Sequence, residues 1–149
     1  MTWFKKEEMA RCFRANGARC RECPLRQPAE KLPDGVEENL QALVREVLDP
    51  ARTAYGKPIS VNNGYRCQVH NKSVGGVANS QHMRGEAADL RIDGNPEVLA
   101  RVIVENGKWD QMIIYPTFVH VSWKRQGVNR KEVLKKTATG YEKVDAACI

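Results

Sequence analysis

The sequence predicts an α+β domain: a small antiparallel sheet with helices packed on one face. Three observations carry that reading. Apolar residues recur at helical spacing from Val36 to Leu48, short strand-like runs fill residues 59–123, and one capped helix at 95–107 interrupts those runs. The 149 residues suit a single domain spanning 1–149.

Residues 5–15 read as a short helix, and 16–33 as a loop punctuated by Gly17, Pro24, Pro28 and Pro33. Asp34 is placed to cap the next helix, whose apolar stripe is Val36, Leu40, Leu43, Val44, Val47 and Leu48. Pro50 should interrupt or kink it before it resumes to Tyr55 and stops at Gly56. A strand at 59–62 ends in Asn63-Gly64. Residues 71–79, rich in Gly, Ser and Asn, read as a loop, and 86–92 as a strand. Asn95 caps a helix with Pro96 at its first position, an apolar stripe of Val98, Leu99, Val102 and Ile103, and Gly107 at its end. Strands at 111–115 and 118–123 flank Pro116-Thr117 as a hairpin. The tail after Gly127 is basic and poor in apolar residues, with a helix expected over 129–136 and disorder over the last dozen residues.

Composition excludes several classes. Charged residues make up 28% and hydrophobic ones 42%, and no long apolar run exists, so a membrane span is not expected. The first residues lack the apolar core of a secretory signal, so the expected location is cytoplasmic until release to a site of action. A net charge of +6 favours an anionic partner such as nucleic acid, acidic lipid or a cell-wall polymer. No dense Lys/Arg stripe with interleaved aromatics is present, so nucleic acid is not the expected partner. The five cysteines are Cys12, Cys20, Cys23, Cys67 and Cys148, and Cys20 and Cys23 form a CxxC with no second CxxC at zinc-ribbon spacing. Thiols, a disulfide and a structural metal all remain open for them.

Chemistry concentrates around two of the three histidines. His82 precedes a glycine turn, and on the strand after it Gly85, Ala87 and Asp89 share one face. The small residues leave space beside Asp89. On the late strand, His120 and Ser122 face one way and Val119 and Val121 the other. Two imidazoles and a carboxylate suit zinc with a fourth position open to water. Zinc in such a site lowers the pKa of that water and polarises a carbonyl, the requirements of amide hydrolysis. The HExxH helix is absent, so this is a different zinc-peptidase plan.

The stretch Ser80-Gln-His82-Met-Arg-Gly85-Glu-Ala87-Ala-Asp89, an SxHxxGxAxD pattern, is followed at a distance by His120-Val-Ser122. Together with Val61-Asn-Asn-Gly64-Tyr65-Arg66, Asn71-Lys-Ser-Val-Gly75-Gly76, Trp109-Asp110-Gln111 and residues 118–122, it resembles the zinc D-Ala-D-Ala carboxypeptidase and peptidoglycan endopeptidase family. That family includes phage endolysins and shares its fold with the Hedgehog signalling domain. The resemblance covers about residues 34–130, leaving the Cys-containing N-terminal segment and the basic tail as extensions. It implies zinc held by His82, Asp89 and His120. It also implies that Arg66 binds substrate carboxylate or carbonyl groups, which suits a planar guanidinium fork. Ser80 either binds substrate or orders its loop, and Gln111 either orients a ligand or packs the sheet. His70 lies outside the pattern. The implied partners are peptidoglycan peptides, the implied state is a monomer, and the implied setting is release to the cell wall, as for a phage or prophage enzyme.

One departure bears on catalysis. Many members carry an acidic general base three residues before the last zinc histidine, and here that position is Thr117. Strand alternation turns Glu86 away from the metal, which leaves Asp110 as the expected base, and Tyr115 either donates a proton or packs. The alternative to a peptidase is a non-catalytic zinc module that binds cell-wall peptide or a protein partner.

Overall fold

The computed structural model describes residues 3–10 and 32–149. Cys12, Cys20, Cys23, positions 11–15 of the expected first helix and 16–31 of the expected loop lie outside the described residues. Helix α1 spans Lys6–Met9. Helix α2 (Val36–Leu43) runs through a π-helical turn (Val44–Leu48) into α3 (Asp49–Tyr55). The residue before α2 is Gly35, left-handed at φ 83°, and no side chain caps the helix, so Asp34 does not have the expected role.

Pro50 does not break the run, because the widened π turn absorbs it. A helix would pair the carbonyl of Glu46 with the N–H of residue 50, which proline lacks. That carbonyl accepts instead from the Asn106 side chain at 3.0 Å. Asn106 ends helix α5 (Pro96–Asn106), so the gap left by the proline ties two helices together. At the other end of α5, Asn95 Oδ1 accepts the Glu97 N–H at 3.0 Å, the expected cap. A further helix, α4 (Gln68–Ser73), begins within the stretch before the expected loop, and a 3₁₀ turn (Gln81–Arg84) precedes the second strand.

Six strands form one open sheet in the order β1-β2-β4-β3-β5-β6. They are β1 (Ser60–Asn63), β2 (Ala87–Arg91), β3 (Gln111–Ile114), β4 (Val119–Ser122), β5 (Glu132–Thr137) and β6 (Gly140–Lys143). The fold is α+β as expected, but the sheet is mixed: β5 lies parallel to β3, and the other neighbours are antiparallel. The parallel pair comes from the tail, where a hairpin stands in place of the expected helix and disorder. Residues 133–137 place β-favouring Val and Thr, with Leu134, in that position, and Thr137 Oγ1 accepts the Thr139 N–H to close the turn.

Register sorts side chains between the two faces. Ala88, Val121, Met112 and Val133 form one cross-strand row, and Leu90, Val119 and Ile114 another. Both rows are buried with Leu43, Val47 and Leu48 of the long helical run and Leu99 and Ile103 of α5. The row between them is Asn63, Asp89, His120, Ile113 and Leu134, and period-two alternation turns it to the opposite face. Among the described residues, no helix is long and apolar enough to cross a membrane.

Candidate metal centre and its cleft

The polar row opens into a cleft of about 690 Å³, lined by Arg66, His82, Asp89, Tyr115, His120 and Lys124 among others. At its floor His82, Asp89 and His120 offer ligand atoms within 4.8 Å of one another. Asp89 and His120 come together because they are direct cross-strand partners. His82 reaches them from the 3₁₀ turn, whose start is fixed by Ser80 Oγ accepting the His82 N–H at 3.2 Å.

The atoms meet in an arrangement that suits a cation. His82 Nδ1 lies 2.7 Å from the Gly64 carbonyl. A carbonyl only accepts, so Nδ1 carries the hydrogen and Nε2 of the neutral ring is bare. That bare nitrogen faces Asp89 Oδ1 at 3.3 Å, and His120 Nδ1 approaches the same oxygen at 3.0 Å. A lone pair turned on a carboxylate oxygen needs a proton or a metal ion between them. The carbonyl behind His82 sets its tautomer and orientation, as partners of metal-bound imidazoles do. The donor set of two nitrogens and one carboxylate oxygen fits zinc.

Gly64 is required where it stands. It is packed so closely on Met9 that a Cβ would overlap the Met9 carbonyl oxygen, which already accepts the Tyr65 N–H at 2.7 Å. The backbone carbonyl that aims His82 is thus held by α1.

Arg66 completes the floor. Its Nη2 donates to Asp89 Oδ2 at 3.3 Å, leaving Oδ1 to the histidines, and its Nη1 donates to Asn71 Oδ1 at 3.2 Å. Its buried Nε has no hydrogen-bond partner among the described residues. Burial opposes ionisation of Asp89, but the imidazoles of His120 and His82 beside it outweigh burial and hold the carboxyl below its ordinary range. Burial also pushes the His120 pKa down, against the pull of Asp89. Tyr115 is pushed above the ordinary phenol range by burial, then by its hydrogen bond with Tyr141, so its hydroxyl stays protonated at neutral pH. The two hydroxyl oxygens are 3.3 Å apart, and the Tyr115 ring stacks on Phe118 with centroids at 4.3 Å.

The remaining sequence candidates fall elsewhere. Asp110 is fully buried and does not line the cleft. Its Oδ1 accepts from the Arg130 backbone N–H at 2.8 Å and Nε at 3.1 Å, and its Oδ2 from Arg130 Nη2 at 2.9 Å and Gln81 Nε2 at 3.1 Å. Burial would raise its pKa, yet Arg130 outweighs burial and holds it below the usual range. A carboxylate engaged on both oxygens and shut away from the cleft is an anchor, so the expectation of Asp110 as base is not met by its placement. Thr117 is exposed at the β3–β4 tip, off the cleft. Glu86 bonds Arg84 Nε at 2.9 Å and stays outside the cleft. Gln111 lines the cleft but commits its amide to Glu132 at 2.7 Å. His70 is buried on α4, apart from the metal-capable group. Besides Asp89, no carboxylate among the described residues lines the cleft.

Sequence reasoning missed Asn71 as the support of Arg66, the Gly64 carbonyl, and a cleft wall made of Lys124, Arg130, Leu134 and Tyr141. The apolar pair Val133-Leu134 and the Thr-Ala-Thr-Gly stretch before Tyr141 were the available signal of a hairpin.

Comparison with known proteins gives two findings. The model of a family described as Peptidase M15 matches residues 2–122. The zinc D-Ala-D-Ala carboxypeptidase of Streptomyces albus G is 54% identical over 44 residues, which is 29% of this chain and 17% of that protein.

Proposed function

This chain belongs to the peptidase M15 family, and on that premise we propose that it is a zinc-dependent peptidase acting on peptidoglycan stem peptides. The observation that carries the reading is the convergence of His82 Nε2 and His120 Nδ1 on one oxygen of Asp89 at the floor of an open cleft. The chemistry named for the similar carboxypeptidase and the surplus of cations along the cleft support it. His82, Asp89 and His120 would hold the metal. Zinc supplies Lewis acidity that polarises a carbonyl and activates water.

The chain's own side chains do the rest. Arg66 orients Asp89 and presents a guanidinium edge to a substrate carbonyl or carboxylate. Tyr115, protonated at neutral pH, is a donor for the oxygen or nitrogen on which charge changes during cleavage. Ser80 orders the ligand loop, and Asp110 holds Arg130 on the cleft rim. The bond cut is a carboxypeptidase or endopeptidase bond of the stem, reached at the cell wall by a monomer.

The test is digestion of purified peptidoglycan with mass analysis of the products. Zinc-loaded protein should release peptide fragments, chelation should abolish release, and the His82→Ala, His120→Ala double variant should be inactive and contain no zinc by elemental analysis. Full zinc occupancy in that variant would show that the metal sits elsewhere. A second reading, a zinc module that binds wall peptide without cutting it, is favoured by the absence of a further carboxylate along the cleft among the described residues. Saturable peptide binding with no product would establish it.

A further inference from the structure

The cleft carries an excess of positive charge, with Arg66, Arg84, Lys124 and Arg130 against Asp89 alone. Three of the four cations are committed. Arg66 is held by Asp89 and Asn71, Arg84 by Glu86 and Asn79, and Arg130 by both oxygens of Asp110. Lys124 differs. Its nearest carboxylate oxygen among the described residues, Asp110 Oδ1, is 4.0 Å away, beyond hydrogen-bond distance. That oxygen already accepts twice from Arg130. Lys124 and Arg130 thus share the Asp110 carboxylate, with Glu132 acting on Arg130 as well, and Lys124 is the cation of the cleft that makes no hydrogen bond to a carboxylate among the described residues.

The residue is held firmly enough to act as a fixed contact. The Lys124 N–H donates to Asn129 Oδ1 at 2.8 Å, and Asn129 Nδ2 donates back to the Lys124 carbonyl at 3.2 Å. This two-way clamp closes the turn between β4 and β5. The side chain is 32% exposed and lines the cleft. Both Lys124 and Arg130 follow residue 122, where the family match ends.

We infer that Lys124, with Arg130 beside it, forms a second carboxylate-binding subsite, separate from Arg66, that selects stem peptides carrying a free carboxylate away from the bond being cut. The inference rests on the proposed action on stem peptides. Lys124 stands two residues past the end of β4, the strand that carries His120, and so beyond the metal-capable group along the cleft. The recognised carboxylate therefore belongs to a part of the peptide away from the scissile bond.

The experiment uses two stem peptides identical except that one carboxylate is free in the first and a primary amide in the second. Each is titrated into zinc-loaded protein, and cleavage is followed in parallel. The parent should bind the acid form about tenfold more tightly, the size of one charge-assisted hydrogen bond. The acid-to-amide ratio should fall to near one in Lys124→Met and be kept in Lys124→Arg, with all three proteins melting alike. If the parent binds and cuts both peptides equally, the subsite is overturned and hydrolysis stands. If it prefers the acid form and cuts neither, the subsite stands and hydrolysis fails. Binding of neither peptide overturns both. A preference that persists in Lys124→Met places the selective group elsewhere and overturns the assignment.

Discussion

Asp89 divides its two oxygens, one toward the imidazoles and one toward Arg66, and that division makes Arg66 hard to replace. Arg66→Lys keeps the charge but loses the fork that spans Asn71 and Asp89. Steady-state kinetics on a stem peptide should show a loss of about tenfold or more, and an unchanged rate would remove Arg66 from substrate handling. Asp110 leads to a different expectation. Its folded pKa is depressed, so the stability it contributes is complete above its unfolded pKa of about 3.9 and is lost as pH falls below that value. Asp110→Asn should cost about 1–3 kcal/mol at pH 7 in urea unfolding, a modest figure because Arg130 stays partly in water. The gap between parent and variant should close below about pH 4. If the variant is as stable as the parent at pH 7 but slower by about 100-fold, Asp110 acts in catalysis after all. At this scale the sequence was legible where strand alternation decides, as for Asp89 and His120. It was not legible where the partner is a backbone atom, as for Gly64, or an ion pair twenty residues along, as for Asp110 and Arg130.

Among the elements, the helices with a clear apolar stripe or cap were readable: the 36–55 run, and α5 with Asn95 and Gly107 at its ends. Helix α4 was not, because Gln68–Ser73 is short and polar and offers no stripe. The β5–β6 hairpin was hidden by its lysines and glutamates, which ride the exposed face while Val133 alone is buried. Pro50 was visible but its outcome was not, since the Glu46 carbonyl it orphans finds Asn106 sixty residues away. That contact yields a clean test. Asn106→Ala should lower stability by about 1 kcal/mol in urea unfolding, the cost of one lost hydrogen bond, without altering zinc content. No change in midpoint would mean that water replaces the amide at no cost.

For the whole molecule, the ligands come from the 3₁₀ turn, β2 and β4, so a metal there ties together segments that are separate in the unfolded chain. At a free zinc concentration one hundred times Kd, the gain is about 2.7 kcal/mol. For a chain of this length, that amounts to a rise of roughly 5–10 °C in Tm. Scanning calorimetry should show that rise reversed by a chelator and restored by added zinc, and an unchanged Tm would argue against a bound ion at this site. The tail hairpin has another consequence at this scale. Strand β3 has a neighbour on each side only because β5 lies against it. A chain cut after Ser122 would expose a row of open N–H and C=O groups beside Met112 and Ile114, the kind of edge on which other chains add strands and aggregate. The edges the intact sheet presents are poor templates: β1 is four residues long and bulged, and β6 shows Glu142 and Lys143 to water. The hairpin that walls the cleft therefore also acts as a guard against self-association.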